Sequence, residues 1–116
     1  MSDAGVGARG YLPRLYGEFR EAAPRMATAY DALAEACRDE GPLSGREQRL
    51  VKLGIAIGLS SDGAVRSHVR RGLEEGIEPE ALVHAIAIAV PTAGFPAAAA
   101  AYGWARQVID RADAAD

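Results

Sequence analysis

A length of 116 residues fits one domain, because domains commonly run to about 100–150 residues. The net charge of -3 and the isoelectric point near 5.4 argue against a nucleic-acid-binding surface, which would be basic. The single cysteine, Cys37, excludes an internal disulfide, and no run of about 18 apolar residues is present to span a membrane. We therefore predict one cytoplasmic domain over residues 11–116, preceded by a flexible glycine-rich arm over residues 1–10, with no nucleic-acid or membrane partner.

Two prolines mark the first two predicted helices. Pro13 suits the first turn of a helix that reaches about residue 22, and Pro24 opens a second helix that ends near residue 39. Apolar residues on the second helix recur at steps of four, three and four, which predicts a buried helical stripe. The stripe consists of Met26, Tyr30, Leu33 and Cys37. A lone cysteine on such a stripe is expected to be buried and unreactive.

Serine caps mark the next two helices. Ser44 and Glu47 have the spacing of a capping box, which predicts the start of the third helix. From residue 50 to 59 that helix is apolar on almost every side. Ser60 or Ser61 caps the fourth helix, and Gly76 ends it in the left-handed conformation.

The last two predicted helices are rich in alanine. Pro79 opens the fifth helix, which is apolar on nearly all faces until Pro91 ends or kinks it, and Pro96 opens the sixth. Six helices without a convincing strand predict an all-α protein. The third and fifth helices carry more apolar surface than a monomer of this size covers, so we expect a homo-oligomer.

One histidine lies on the fourth helix, beside its inward stripe of Val65, Val69 and Leu73. His68 has two interpretations: a partly buried structural residue, or a catalytic group that titrates near neutral pH. Arg71 and Glu75, four residues apart, are expected to pair on the outer side of the same helix.

The region from about residue 43 to 108 resembles the carboxymuconolactone decarboxylase family, which includes the alkylhydroperoxidase D-like proteins. The resemblance rests on an ordered set of motifs: an apolar helix Leu50-Val-Lys-Leu-Gly-Ile-Ala-Ile-Gly-Leu59, then Ser67-His68-Val-Arg-Arg, then Gly76, and finally Gly94-Phe95-Pro96. The resemblance implies an alkylhydroperoxidase D-like helical subunit that assembles as a trimer or hexamer.

The peroxidase branch of this family is recognised by Cys-x-x-Cys-x-x-x-His, in which the two thiols carry out the redox chemistry. Counting back from His68 places Ser61 and Ala64 at the cysteine positions, and Arg49 where that branch has a carboxylate. A thiol peroxidase is therefore not expected.

The decarboxylase branch does not need those cysteines, although its two acidic positions are occupied here by Ala64 and His84. We predict action on a small organic acid or lactone, with His68 as acid/base and with no metal and no cofactor. The alternative is a non-catalytic family member that binds a ligand or serves a structural role. Four further residues are candidates for contacting a substrate: Arg49, Lys52, Asp62 and His84. Lys52 is equally well explained as a side chain that extends from an apolar helix into solvent.

Overall fold

The fold was analysed in a computed structural model that describes the backbone of residues 3–115 and the side chains of residues 13–115. The described residues form six α-helices and no strand, which confirms the all-α prediction. None of these helices carries the long apolar stretch that crossing a bilayer requires. The helices are α1 (Asp3–Ala22), α2 (Pro24–Asp39), α3 (Gly45–Gly58), α4 (Asp62–Glu74), α5 (Pro79–Ala93) and α6 (Phe95–Ala115).

Contacts divide the chain into two compact units, with the boundary between Pro42 and Leu43. The first unit contains α1 and α2, and the second contains α3 to α6. A single domain over residues 11–116 stays a prediction. Met1 and Ser2 of the predicted arm lie outside the described residues, and the backbone is helical from Asp3 onward.

The predicted start of the first helix at Pro13 is wrong. Helix α1 begins ten residues earlier and contains Pro13 in its interior, where proline cannot donate the usual backbone hydrogen bond. The second helix begins and ends as predicted. An ion pair between Arg20 and Asp31, at 2.6 Å, joins the two helices, and the guanidinium of Arg20 lies 5.7 Å from the centre of the Tyr16 ring.

The predicted burial of the α2 stripe is also wrong. Met26, Tyr30, Leu33 and Cys37 are exposed, and the only buried side chain described in this unit is that of Ala27. Helical periodicity identifies a common face but does not identify what covers it. Within this unit, α1 and α2 can cover only one narrow side of each other, and these four side chains are exposed.

The core of the second unit is aliphatic. Its helices pack in the pairs α5 with α6, α4 with α6, α3 with α4 and α3 with α5. Small residues of α6 are fully or almost fully buried at these contacts, consistent with the close helix packing that alanine permits. The largest fully buried side chains are Leu53, Ile57, Val65, Val69, Leu82 and Ile109.

The caps of α3 and α4 follow the sequence prediction. Ser44 Oγ accepts a hydrogen bond from the Glu47 backbone N–H at 3.1 Å, and Glu47 Oε1 accepts one from the Ser44 backbone N–H at 2.7 Å. Ser61 caps α4. Pro91, in contrast, does not end α5, which continues to Ala93 before Gly94 turns the chain with φ of 102°.

Candidate functional site

The last turn of α4 places an acidic side chain beside α3. Gly76 has φ of 89°, the left-handed conformation that glycine adopts without steric cost. Its N–H donates to the Leu73 carbonyl at 3.1 Å, and the Ile77 N–H donates to the Gly72 carbonyl at 2.9 Å. This pair of bonds is a Schellman motif. It fixes Glu75 at the C-terminal cap of α4.

Helices α4 and α5 approach closely at Gly72, and Arg49 of α3 also contacts this position. A methyl group at this position would lie 3.1 Å from Leu82 Cδ2 and 3.6 Å from Arg49 Cγ. The missing side chain therefore leaves room for Leu82, while the aliphatic stem of Arg49 passes Gly72 at ordinary van der Waals distance from α3 toward the end of α4.

Arg49 makes a two-pronged ion pair with Glu75. Its Nε donates to Glu75 Oε1 at 3.0 Å, and its Nη2 donates to Oε2 at 2.7 Å. The Arg49 side chain is only 12% exposed, whereas that of Glu75 is 45% exposed. The hydrogen bond from Arg49 is the main cause that lowers the pKa of Glu75 below its ordinary value. The geometry is that of the bidentate arginine–carboxylate pairs that orient both partners.

The same guanidinium also contacts His68. Arg49 Nη1 lies 2.8 Å from His68 Nδ1, and arginine has donors but no acceptor. Nδ1 must therefore accept this hydrogen bond, which assigns the ring proton of a neutral imidazole to Nε2. Sequence analysis placed Arg49 and His68 in the candidate site separately, and the structure brings them into direct contact.

Burial and neighbouring cations favour the neutral ring. The pKa of His68 is lowered from 6.5 to about 4, first by burial and then by the positive charges of Arg49, Arg71 and Lys52, while Glu75 opposes them. The imidazole is thus uncharged near neutral pH. It offers an N–H donor at Nε2 in a region of positive charge.

The remaining predicted site residues do not take part in these hydrogen bonds. Lys52 is exposed on α3, where its charge acts on the imidazole. Asp62 pairs with Arg66, one turn farther along α4. His84 is exposed on α5. No three His, Cys, Asp or Glu side chains among those described converge on a point that could hold a metal ion.

Two residues of this arrangement were missed by sequence analysis. Glu75 was expected to pair with Arg71 at the i,i+4 spacing, but its carboxylate binds Arg49 instead. Gly72 carried no signal of its own. Gly76 does predict a helix end at Glu75, yet the reach of Arg49 across to it depends on how α3 and α4 pack.

A surface depression of about 410 Å³ lies on α2, lined by Pro24, Arg25, Thr28 and Ala29. It is open to solvent and contains none of the predicted site residues.

Comparison with known proteins agrees with the fold and with the family resemblance. The family model of the carboxymuconolactone decarboxylase family matches residues 24–107, well over half of the chain. The chain belongs to the carboxymuconolactone decarboxylase family. The match includes α2, which lies outside the region that carried the resemblance in the sequence. No curated protein sequence matches the chain at a significant level.

A solved structure extends the likeness of this carboxymuconolactone decarboxylase family member to nearly its full length. The apo crystal structure of a carboxymuconolactone decarboxylase family protein from Legionella pneumophila superposes with a TM-score of 0.77 at 22% sequence identity. The similarity covers 92% of this chain and 98% of the other. At this level of identity, the likeness supports the fold.

The two positions at which the peroxidase branch of the family carries cysteines hold no thiol in this chain. The Ser61 hydroxyl accepts the Ala64 backbone N–H at 3.3 Å as the cap of α4, and Ala64 has no reactive group. Cys37 is exposed on α2 and not buried as predicted. Burial is therefore no reason to expect its thiol to be unreactive. The chain still has only one cysteine, and one thiol cannot supply both the attacking and the resolving sulfur.

Proposed function

We propose that this carboxymuconolactone decarboxylase family protein is a lyase-type enzyme for a small organic acid or lactone. The observation that carries the proposal is the hydrogen bond from Arg49 to His68 Nδ1, because it makes Nε2–H a donor. A donor surrounded by cations suits a substrate oxygen on which negative charge develops.

Because of this hydrogen bond, we propose a hydrogen-bond donor role for His68 in place of the predicted acid/base role. Nε2 already carries the proton, so it has no lone pair with which to act as a base. A neutral imidazole is also a poor acid, yet it remains an effective hydrogen-bond donor toward an oxyanion. We therefore assign His68 the role of polarising a substrate oxygen.

The chemical step follows from that role. In a decarboxylation, the bond to the carboxylate carbon breaks, carbon dioxide leaves, and the electron pair enters an enolate. The enolate oxygen accepts the hydrogen bond from His68 Nε2, water supplies the proton that finally reaches carbon, and the hydroxide that remains combines with the released carbon dioxide as bicarbonate. Lys52 and Arg71 attract the substrate carboxylate electrostatically, whereas Arg49 is already held by Glu75 and His68. Asp62 and His84 stay candidates for contacts with the rest of the substrate.

The proposal includes a cytoplasmic homo-oligomer, either a trimer or a hexamer. Large apolar side chains are exposed on α3 and α5, the two helices whose apolar surface predicted an oligomer. Val51, Ile55 and Leu59 form a stripe at steps of four on α3 and its C-terminal cap, and Ile88 is exposed on α5. Burying one such side chain stabilises an assembly by about 1.5–3 kcal/mol, so association of copies through this stripe is favoured.

The test is loss of carbon dioxide from candidate carboxylactones, followed by mass spectrometry. Wild-type protein should release carbon dioxide, and His68→Ala should reduce the rate by about 10²- to 10³-fold, the usual cost of removing one oxyanion donor. Arg70→Ala, which removes an exposed cation from the same helix, is the matched control and should keep the wild-type rate.

Equal rates for wild type and His68→Ala would remove His68 from the mechanism. Binding of carboxylactones without release of carbon dioxide would favour the second function, a non-catalytic ligand-binding protein.

A further inference from the structure

Arg49 contacts Glu75 and His68 through different parts of one guanidinium. Nε and Nη2 bind the carboxylate, which leaves Nη1 for the imidazole. Because the guanidinium is planar and rigid, fixing one edge on Glu75 also fixes where Nη1 lies. Lysine, with a single nitrogen, cannot reproduce this geometry.

We infer that Glu75 is a positioning residue: it holds the Arg49 guanidinium against His68 Nδ1 and thereby keeps the ring proton on Nε2. Its effect on turnover rests on the proposed function. The effect on the tautomer does not, because it belongs to the free protein.

The burial of Arg49 explains why its position depends on Glu75. The side chain is only 12% exposed and its stem passes Gly72, so its donors have limited access to water. Removing Glu75 would take away the carboxylate oxygens that accept hydrogen bonds from Arg49 Nε and Nη2. A charged group that is left without hydrogen-bond partners in a partly buried site costs free energy. The guanidinium would then turn toward solvent and release Nδ1.

The charges around His68 distinguish two effects of Glu75: holding Arg49 in place, and acting on the pKa of His68 through its own negative charge. They come from Arg49 and Lys52 on α3, and from Arg71 and Glu75 at the end of α4. Glu75 by itself raises the pKa of His68, so removing its charge alone would lower that pKa. Arg49 acts in the opposite direction and more strongly, so its release would raise the pKa. The two roles predict opposite signs.

Nitrogen-15 NMR of the His68 ring across a pH titration tests the inference, with Glu75→Ala as the variant and Glu74→Ala as the matched control. Glu74 is the preceding exposed carboxylate on α4. In Glu75→Ala, we expect the neutral ring to populate both tautomers and the pKa of His68 to rise above about 4, while burial and the charges of Arg71 and Lys52 keep it below the ordinary value. Glu74→Ala should retain the Nε2–H tautomer and the low pKa.

A proton that stays on Nε2 in Glu75→Ala, together with an unchanged or lower pKa of His68, would overturn the inference. Arg49→Lys is a second test variant if Glu75→Ala does not fold. It keeps the positive charge but cannot make the pair of hydrogen bonds from Nε and Nη2 to Glu75. It too should give mixed tautomers, and a locked Nε2–H tautomer in that variant would also count against the inference. Mixed tautomers with unchanged turnover would support positioning and contradict the proposed function.

Discussion

The chemistry available to His68 depends on which ring nitrogen carries the proton. In the sequence, the residue is a histidine beside an apolar stripe, and the spacing leaves structural and catalytic roles open. Its contact with Arg49 assigns the tautomer, because an arginine can only donate. No periodicity in the sequence contains this information. Arg49 and His68 are 19 residues apart, and their hydrogen bond depends on the packing of α3 against α4.

The lowered pKa of His68 predicts an acid-sensitive fold. Between pH 6.5 and about 4, the unfolded chain binds a proton at this residue while the folded chain does not, so stability falls as the pH falls. A shift of this size corresponds to about 3 kcal/mol at most. Solvent screening of a half-exposed ring reduces it to roughly 1–2 kcal/mol.

Urea unfolding at pH 7 and at pH 5 measures this contribution. His68→Gln cannot bind the proton, so its free energy of unfolding should decrease less than that of wild type between the two pH values. Because Arg49 lowers the pKa of Glu75, this carboxylate stays ionised to a lower pH than an ordinary glutamate does. An equal loss of stability in both proteins would show that His68 is not the acid-sensitive group.

At the element scale, the sequence predicts helix boundaries best where local chemistry sets them. Pro24, Ser44, Ser61 and Gly76 act within one turn of a helix end, and the structure places all four as predicted. Two prolines did not mark a helix end: Pro13 lies inside α1, and Pro91 lies inside α5, although proline lacks the backbone N–H that a helix interior uses.

Packing between helices makes a further prediction at Gly72. The new methyl group in Gly72→Ala would approach Leu82 Cδ2 to 3.1 Å, and Leu82 is fully buried with little freedom to move. The steric cost exceeds the gain in helix propensity, so we expect the free energy of unfolding to decrease by about 1 kcal/mol.

Gly103→Ala is the matched control, because this glycine is also within a helix and nothing lies within 4 Å of the added carbon. Chemical denaturation should show it to be as stable as wild type, or more stable by about 0.5–1 kcal/mol. A stabilised Gly72→Ala variant would mean that the contact between α4 and Leu82 of α5 is looser than described.

At the scale of the whole molecule, the pattern of six helices without a strand predicted the fold class, but not which faces stay exposed. The α2 stripe and the α3 stripe have the same helical periodicity as buried faces. Periodicity reports that apolar side chains share a side of a helix. Whether that side meets the same chain, another copy or solvent is decided by the assembled structure.

The proposed assembly predicts that a charge within the α3 stripe will separate the subunits. In Ile55→Glu, the carboxylate would lose its hydration on association, at a cost that exceeds the apolar gain of one side chain. Sedimentation velocity should therefore show a smaller species than for wild type. Gln107→Glu, at an exposed polar position of α6, introduces the same charge and should leave the assembly unchanged.

If Ile55→Glu and wild type sediment alike, the α3 stripe is not an interface. A wild-type monomer at micromolar concentration would contradict the oligomer more broadly.

The most direct test of the central claim is a nitrogen-15 NMR titration of His68 in the wild-type protein. The Arg49 contact predicts a neutral ring with its proton on Nε2 at pH 7, and protonation of Nδ1 only near pH 4. Protonation near pH 6.5, or a neutral ring with its proton on Nδ1, would contradict the donor role of His68 and the function proposed from it.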